Sequence, residues 1–159
     1  MLTSEERQRR IAIIRDFPAR LTELVTPLSE EQLKTRYLPG EWTVQQIVHH
    51  LPESHMNSFS RLKFILTEDH PTLQPYDQAK WALLPDVNLT PIQASLDILK
   101  GLHERWANLF ASLSDEQCQR TGYHPENGDM TPDDLLVMYS DHCDIHVEQI
   151  TRTLAAAPV

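Results

Sequence analysis

The chain reads as an all-α protein built on four long helices. Three features of its 159 residues lead there. Hydroxyl-led capping signatures recur along the chain, only 4 residues are glycine, and apolar side chains repeat at three- and four-residue steps with no sustained alternation of the kind strands require. Thr43-Val-Gln-Gln46, Thr90-Pro-Ile-Gln93 and Thr131-Pro-Asp-Asp134 each set a hydroxyl where it can accept from the backbone N–H three residues on. The amide or carboxylate at that third position can reach back to the capping residue. Two of the three add proline at the first helical position, where its missing N–H has no partner to lose.

Taken in order, these signals predict long helices over 4–26, 43–67, 90–112 and 131–155. Ser29-Glu-Glu-Gln32 and Ser114-Asp-Glu-Gln117 carry the same signature but break off within a few residues, so they read as short capped turns. In the third long helix Ile92, Leu96, Leu99, Leu102, His103, Trp106, Leu109, Phe110 and Leu113 form one core stripe. The last helix is less tidy: Leu135, Met138, His142, Ile145, Val147 and Gln149 mix polar and apolar residues along one stripe. Residues 66–90 contain Pro71, Pro75 and Pro85 and abut Pro91, which predicts a long Pro-rich crossover between the second and third long helices. Residues 122–128 read as irregular. Pro18 and Pro52 fall inside predicted helices and should kink or interrupt them. No repeat, low-complexity tract or linker divides the chain, so residues 1–159 are expected to form a single helical bundle domain.

The formal charge of -9 argues against an extended nucleic-acid footprint and against an anionic membrane surface. The N-terminal residues lack the apolar run of a signal peptide, and no stretch approaches the roughly 18 uncharged apolar residues of a membrane span, so a cytoplasmic protein is expected. Cys118 and Cys143 form no CxxC and read as reduced, incidental thiols. The unusual count is 8 histidines.

His142-Cys-Asp-Ile-His146 places two rings four residues apart on one helix face, close enough to share a metal. Taken alone, the step is better read as two partly exposed histidines with no ligand. A third ring would change that, and the adjacent His49 and His50 supply the candidate. Neighbouring helical residues differ by about 100° around the axis, so one of the two points inward. Trp42, Ile47 and Leu51 cluster near His50 and favour it. Glu53, Ser54 and Asn57 continue its face, a polar strip that is either solvated or in need of partners. Three histidines from two helices with an open position are the arrangement of catalytic zinc. A water or thiol held there becomes a nucleophile near neutral pH, and proton competition below about pH 6 should displace the metal. Glu53 is placed either to accept a proton as general base or to orient a ligand histidine, with Asn57 positioning water or substrate.

The remaining residues have plainer expectations. His55 lies about 140° from His50 around the helix and reads as packing or surface. His103 reads as a buried, hydrogen-bonded histidine, His124 as a residue at the pocket mouth, and His70 as surface. Tyr76, Trp81 and Trp106 read as packing for the crossover.

At these residues the chain resembles the DinB superfamily, and within it the YfiT-like metal-dependent hydrolases, a group also described as bacillithiol S-transferase-like. The resemblance runs through Gly40 to Leu51, Ser54 to Asn57, Arg61 to Lys63, Thr67 to Asp69 with Pro71, Pro75 to Asp77, Trp81, His103 to Trp106, His124-Pro125 and the His142 to His146 step. It covers nearly the whole chain. It implies a DinB-type four-helix bundle, one divalent metal per chain (zinc, or nickel), a ligand triad falling on His50, His142 and His146, and a homodimer. Asp141 and Asp144 depart from the family pattern and predict a more acidic pocket entrance.

Three functions follow as expectations. The first is a metal-dependent hydrolase acting on a small molecule with a metal-activated water. The second is a metal-dependent transferase that delivers a low-molecular-weight thiol to an electrophile. The third is a non-enzymatic metal-binding, stress-response bundle.

Overall fold

The structure is a computed structural model and describes residues 2–158. Its long helices are α1 (Ser4–Val25), α3 (Val44–Thr67), α6 (Ile92–Ala111) and α8 (Pro132–Ala155), each within two residues of the span read from the sequence. Between them lie the short helices α2 (Glu30–Lys34), α4 (Gln78–Trp81), α5 (Asp86–Leu89) and α7 (Asp115–Cys118). Thr43, Ser29, Ser114 and Thr131 all close reciprocal capping boxes, with Gln46, Gln32, Gln117 and Asp134 as the returning side chains. Thr90 does not cap: Pro91 takes that place at the start of α6 and makes no side-chain capping bond.

The four long helices pack in a ring, α1 against α6 and α8, and α3 against the same two. Fully buried Ile14, Phe17, Leu21, Ile47, Leu51, Leu62, Leu99, Trp106 and Leu135 fill the space between them. No helix of the described residues is long and apolar enough to cross a membrane.

Several expectations need correction. Pro18 and Pro52 do not interrupt α1 or α3, which each run through as one helix. The segment read as irregular contains a two-stranded antiparallel ribbon, β1 (Gly122–His124) with β2 (Gly128–Met130). Its strands are three residues long, too short for alternation to show, and Gly128 turns the chain at φ 74°. A Cβ at Gly122 would lie 3.0 Å from Ile65 Cγ1 and 3.1 Å from Leu73 Cδ2, so the ribbon presses on α3 through a position where no side chain fits. The inward face of α8 is also not the stripe read from the sequence. It runs Leu135, Tyr139, Cys143, His146, Ile150 and Thr153, while Met138 and Ile145 are exposed.

Asp141 and Asp144 do not make an acidic entrance. They pair with Arg10 (2.8 Å) and Arg20 (2.9 Å) of α1 and tie α8 to that helix instead. The crossover is fastened to the start of α3 by Gln45, whose amide donates to the Val87 carbonyl, and by Gln46, whose amide donates to the Ala82 carbonyl at 2.9 Å.

Candidate metal centre

The capping box at Thr43 starts α3 so that His50 turns into the bundle seven residues later, opposite α8. There His50, His142 and His146 bring ring nitrogens within 4.8 Å of one another. Ring centroids lie 5.5 Å apart for His50 and His142, 5.1 Å for His50 and His146, and 4.3 Å for His142 and His146. Trp42 tilts against His50 at 4.9 Å and covers it. Both ring nitrogens of His50 are buried and have no hydrogen-bond partner among the described residues. The Nδ1–H of His146 donates to Gln149 Oε1 at 2.8 Å, which directs its Nε2 toward His142 Nε2, 3.1 Å away. Unpaired buried nitrogens are costly, and three converging imidazoles are the donor set that borderline divalent cations prefer. The residues present therefore fit a metal.

Burial, and then the neighbouring His146, pushes the pKa of His50 down to about 3; the same causes, with His50 added, hold His142 well below the usual histidine range. His146 is lowered by burial, and its bond to Gln149 opposes that shift. His103, buried in α6, is pushed down to about 4. The rings thus stay deprotonated, as ligands must be, to lower pH than the value near 6 expected of ordinary histidines.

The same shifts set a pH dependence of folding. A histidine with a lower pKa in the folded chain binds protons more readily when unfolded. Its contribution is complete above pH 6.5 and is lost as the pH falls toward the folded value. For the metal-free protein we expect the urea midpoint to drop steadily between pH 6.5 and 4, with a slope of up to about 1.4 kcal/mol per pH unit for each such ring. A midpoint flat across that range would show that the rings are hydrated.

A cavity of about 630 Å³ adjoins the cluster, lined by His142, Tyr139, Ser54, Arg61, Tyr76 and His124 among others. The buried Arg61 guanidinium donates through Nε and Nη2 to the Gln74 carbonyl at 3.2 and 2.6 Å. Among the described residues no carboxylate lies within ion-pair distance of it. Burial pushes the Tyr76 hydroxyl up to about 12. His124 is lowered by burial and then by Arg61, and its Nδ1 accepts the Glu126 N–H at 3.2 Å.

Glu53 is half-buried with Oε2 unpaired, and burial followed by the nearby Asp86 raises its pKa. Neither Glu53 nor Asn57 is among the residues lining the cavity; the Asn57 amide donates to the Glu53 backbone carbonyl at 2.9 Å. His49 points away from the cluster and joins α3 to the start of α6, with Nδ1 2.8 Å from Ser95 Oγ and Nε2 3.1 Å from the Thr90 carbonyl. His70 is exposed and pairs with Asp129 at 2.9 Å. Cys143 lies in the core, where burial pushes its thiol up, so no thiolate competes for the cluster.

One residue of this centre escaped the sequence reading. His55 is fully buried, and its Nε2 lies 3.0 Å from His142 Nδ1. Its partners are 48 and 87 residues away along the chain, so no local spacing could have signalled it.

The model of the DinB superfamily matches residues 13–150. A relative from Oceanobacillus iheyensis, provisionally named a metal-dependent hydrolase, is 44% identical over 138 residues, spanning 87% of this chain and 80% of its own. A similarly named relative from Bacillus cereus is 45% identical and spans 87% of this chain and 79% of its own. Among solved structures, YfiT from Bacillus subtilis, described as a probable metal-dependent hydrolase with an unusual four-helix bundle topology, superposes with a TM-score of 0.87 at 36% identity, covering 98% of this chain and 91% of that one. The mycothiol-dependent maleylpyruvate isomerase shares the fold with a TM-score of 0.71 at 14% identity, covering 94% of this chain and 63% of that one.

Proposed function

The chain belongs to the DinB superfamily, and from that membership and the geometry above we propose that it is a hydrolase that holds one divalent metal, zinc before nickel, on His50, His142 and His146. The observation that carries the reading is His50: both its ring nitrogens are buried and unpaired, within reach of two further imidazoles, beside a cavity of ligand size. When bound, the metal supplies a Lewis acid that makes water, or a thiol, nucleophilic at neutral pH.

The chain's own residues do the rest. His142 forms part of the cavity wall, so substrate entering beside Tyr139 and Ser54 meets the centre there. Arg61, held by the Gln74 carbonyl, presents a cation to the same space and favours a small molecule with an anionic group. Glu53, with a free buried oxygen and a raised pKa, is the proton acceptor. Asn57 serves it indirectly by bonding the Glu53 carbonyl.

A cavity of about 630 Å³ also has room for a low-molecular-weight thiol beside an electrophile, which is the second reading. One experiment separates them. Zinc-loaded protein is given chromogenic esters and amides without thiol, and in parallel an electrophilic aryl halide with a low-molecular-weight thiol. Hydrolysis without thiol, reduced about 100-fold or more by Glu53→Gln at unchanged metal content, is the expected result. Metal-dependent thiol consumption with no hydrolysis would replace this reading with thiol transfer. Stoichiometric metal with neither reaction would favour a non-enzymatic bundle.

A further inference from the structure

Pro18 lies inside α1 and has no N–H to give to the Ile14 carbonyl four residues earlier. That carbonyl instead accepts a hydrogen bond from His103 Nδ1 on α6, at 2.5 Å. A carbonyl oxygen can only accept, so the proton of His103 sits on Nδ1. A neutral imidazole has a single N–H, which leaves a lone pair on His103 Nε2. This atom is 2.7 Å from His55 Nδ1 on α3, which must then be the donor. By the same rule His55 Nε2 accepts, and it lies 3.0 Å from His142 Nδ1 on α8. His142 therefore carries its proton on Nδ1 and its lone pair on Nε2, the nitrogen that faces His146.

The surroundings support neutral rings. His55 and His103 are fully exposed to neither solvent nor charge: both are completely buried, and no carboxylate is among their hydrogen-bond partners. Phe17 packs on both rings, at 5.6 and 5.5 Å, and Trp106 on both, at 5.5 and 5.6 Å. A buried imidazolium there would have only the Ile14 carbonyl to set against its desolvation, and burial outweighs that bond.

We propose that the Ile14 carbonyl, His103 and His55 form a relay across all four long helices that holds His142 in its Nδ1–H tautomer and so aims Nε2 at the metal position. The purpose of the relay rests on reading the triad as a metal centre; the tautomers themselves do not. His55 and His103 are positioning residues that act through His142. A ligand histidine commonly donates directly to a carboxylate or a backbone carbonyl. Here the carbonyl acts through two further rings, and it is free to do so because Pro18 has no N–H.

Two measurements on the 159-residue chain test this. In metal-free protein, long-range 1H–15N correlation spectra should show the Nδ1–H tautomer at His55, His103 and His142. An Nε2–H tautomer at His55 or His142 would overturn the relay. Zinc affinity, read by chelator competition, is then compared for His55→Leu, which has no acceptor, and His55→Gln, whose carboxamide can reach the place of Nε2. The leucine variant should bind zinc about 10–100-fold more weakly and the glutamine variant should recover most of that loss. Equal affinities in the two variants would overturn the proposal. Should His55→Leu not fold, the wild-type spectra and the glutamine variant still decide: affinity near wild type supports the relay and complete loss overturns it. If the wild-type chain binds no zinc, the metal reading fails, while the spectra judge the relay independently.

Discussion

Alanine at His146 is expected to remove bound divalent metal, taking stoichiometry from one ion per chain to near zero, while the bundle remains folded. The ring contributes one of three converging nitrogens, and two imidazoles leave most of the coordination sphere to water. The loss should therefore exceed the roughly 10–100-fold weakening that follows removal of an outer hydrogen-bonding partner. His50→Ala and His142→Ala should lose metal as well, yet differ in the stability of the metal-free chain. His50→Ala deletes two buried nitrogens that have no partner, so the lost packing is partly offset. His142→Ala leaves His55 Nε2 without its donor and should destabilise by a further ~1–3 kcal/mol. Metal analysis of the purified variants, with urea denaturation of each after chelation, reads both effects. Full metal content in all three variants would dismiss the triad as a binding site.

The largest effect on stability is expected at Phe17, where Phe17→Ala should cost about 3–5 kcal/mol. The side chain is fully buried in α1, stacked on His103 at 5.5 Å and tilted against His55 at 5.6 Å. Its removal would open a void beside two rings that cannot move inward without giving up their hydrogen bonds, so little of the cavity can collapse. Leu89→Ala is the contrasting control: that side chain is 80% exposed in the crossover, and its truncation should change stability by no more than ~0.5 kcal/mol. Urea unfolding of both variants checks the pair. A Phe17→Ala change below about 1 kcal/mol would mean that the core around the histidines repacks freely.

Much of this could be read along the chain. Thr43, Ser29, Ser114 and Thr131 mark helix starts because a cap is satisfied within three residues. His142 and His146 stand together because one helical turn separates them, and His50 was separable from His49 because an α-helix turns about 100° per residue. The ribbon at 122–130 was not legible, since three-residue strands have no period to detect. Asp141 and Asp144 could not be placed, because their arginine partners are 131 and 124 residues away.

The residues around the triad divide along the same line. Capping, periodicity and the spacing of His142 and His146 depend on hydrogen bonds and side-chain directions within about one turn of helix, so the bundle and three candidate ligands follow from the order of residues alone. The relay behind His142 depends on which helices are neighbours. His55 gained its role only when α3 packed against α6 and α8, and Pro18, which in the sequence looked like a break in α1, leaves a carbonyl free for His103 only because α6 lies against it. Helix order around the ring is set by the burial of apolar faces over the whole chain, and no local window contains that information.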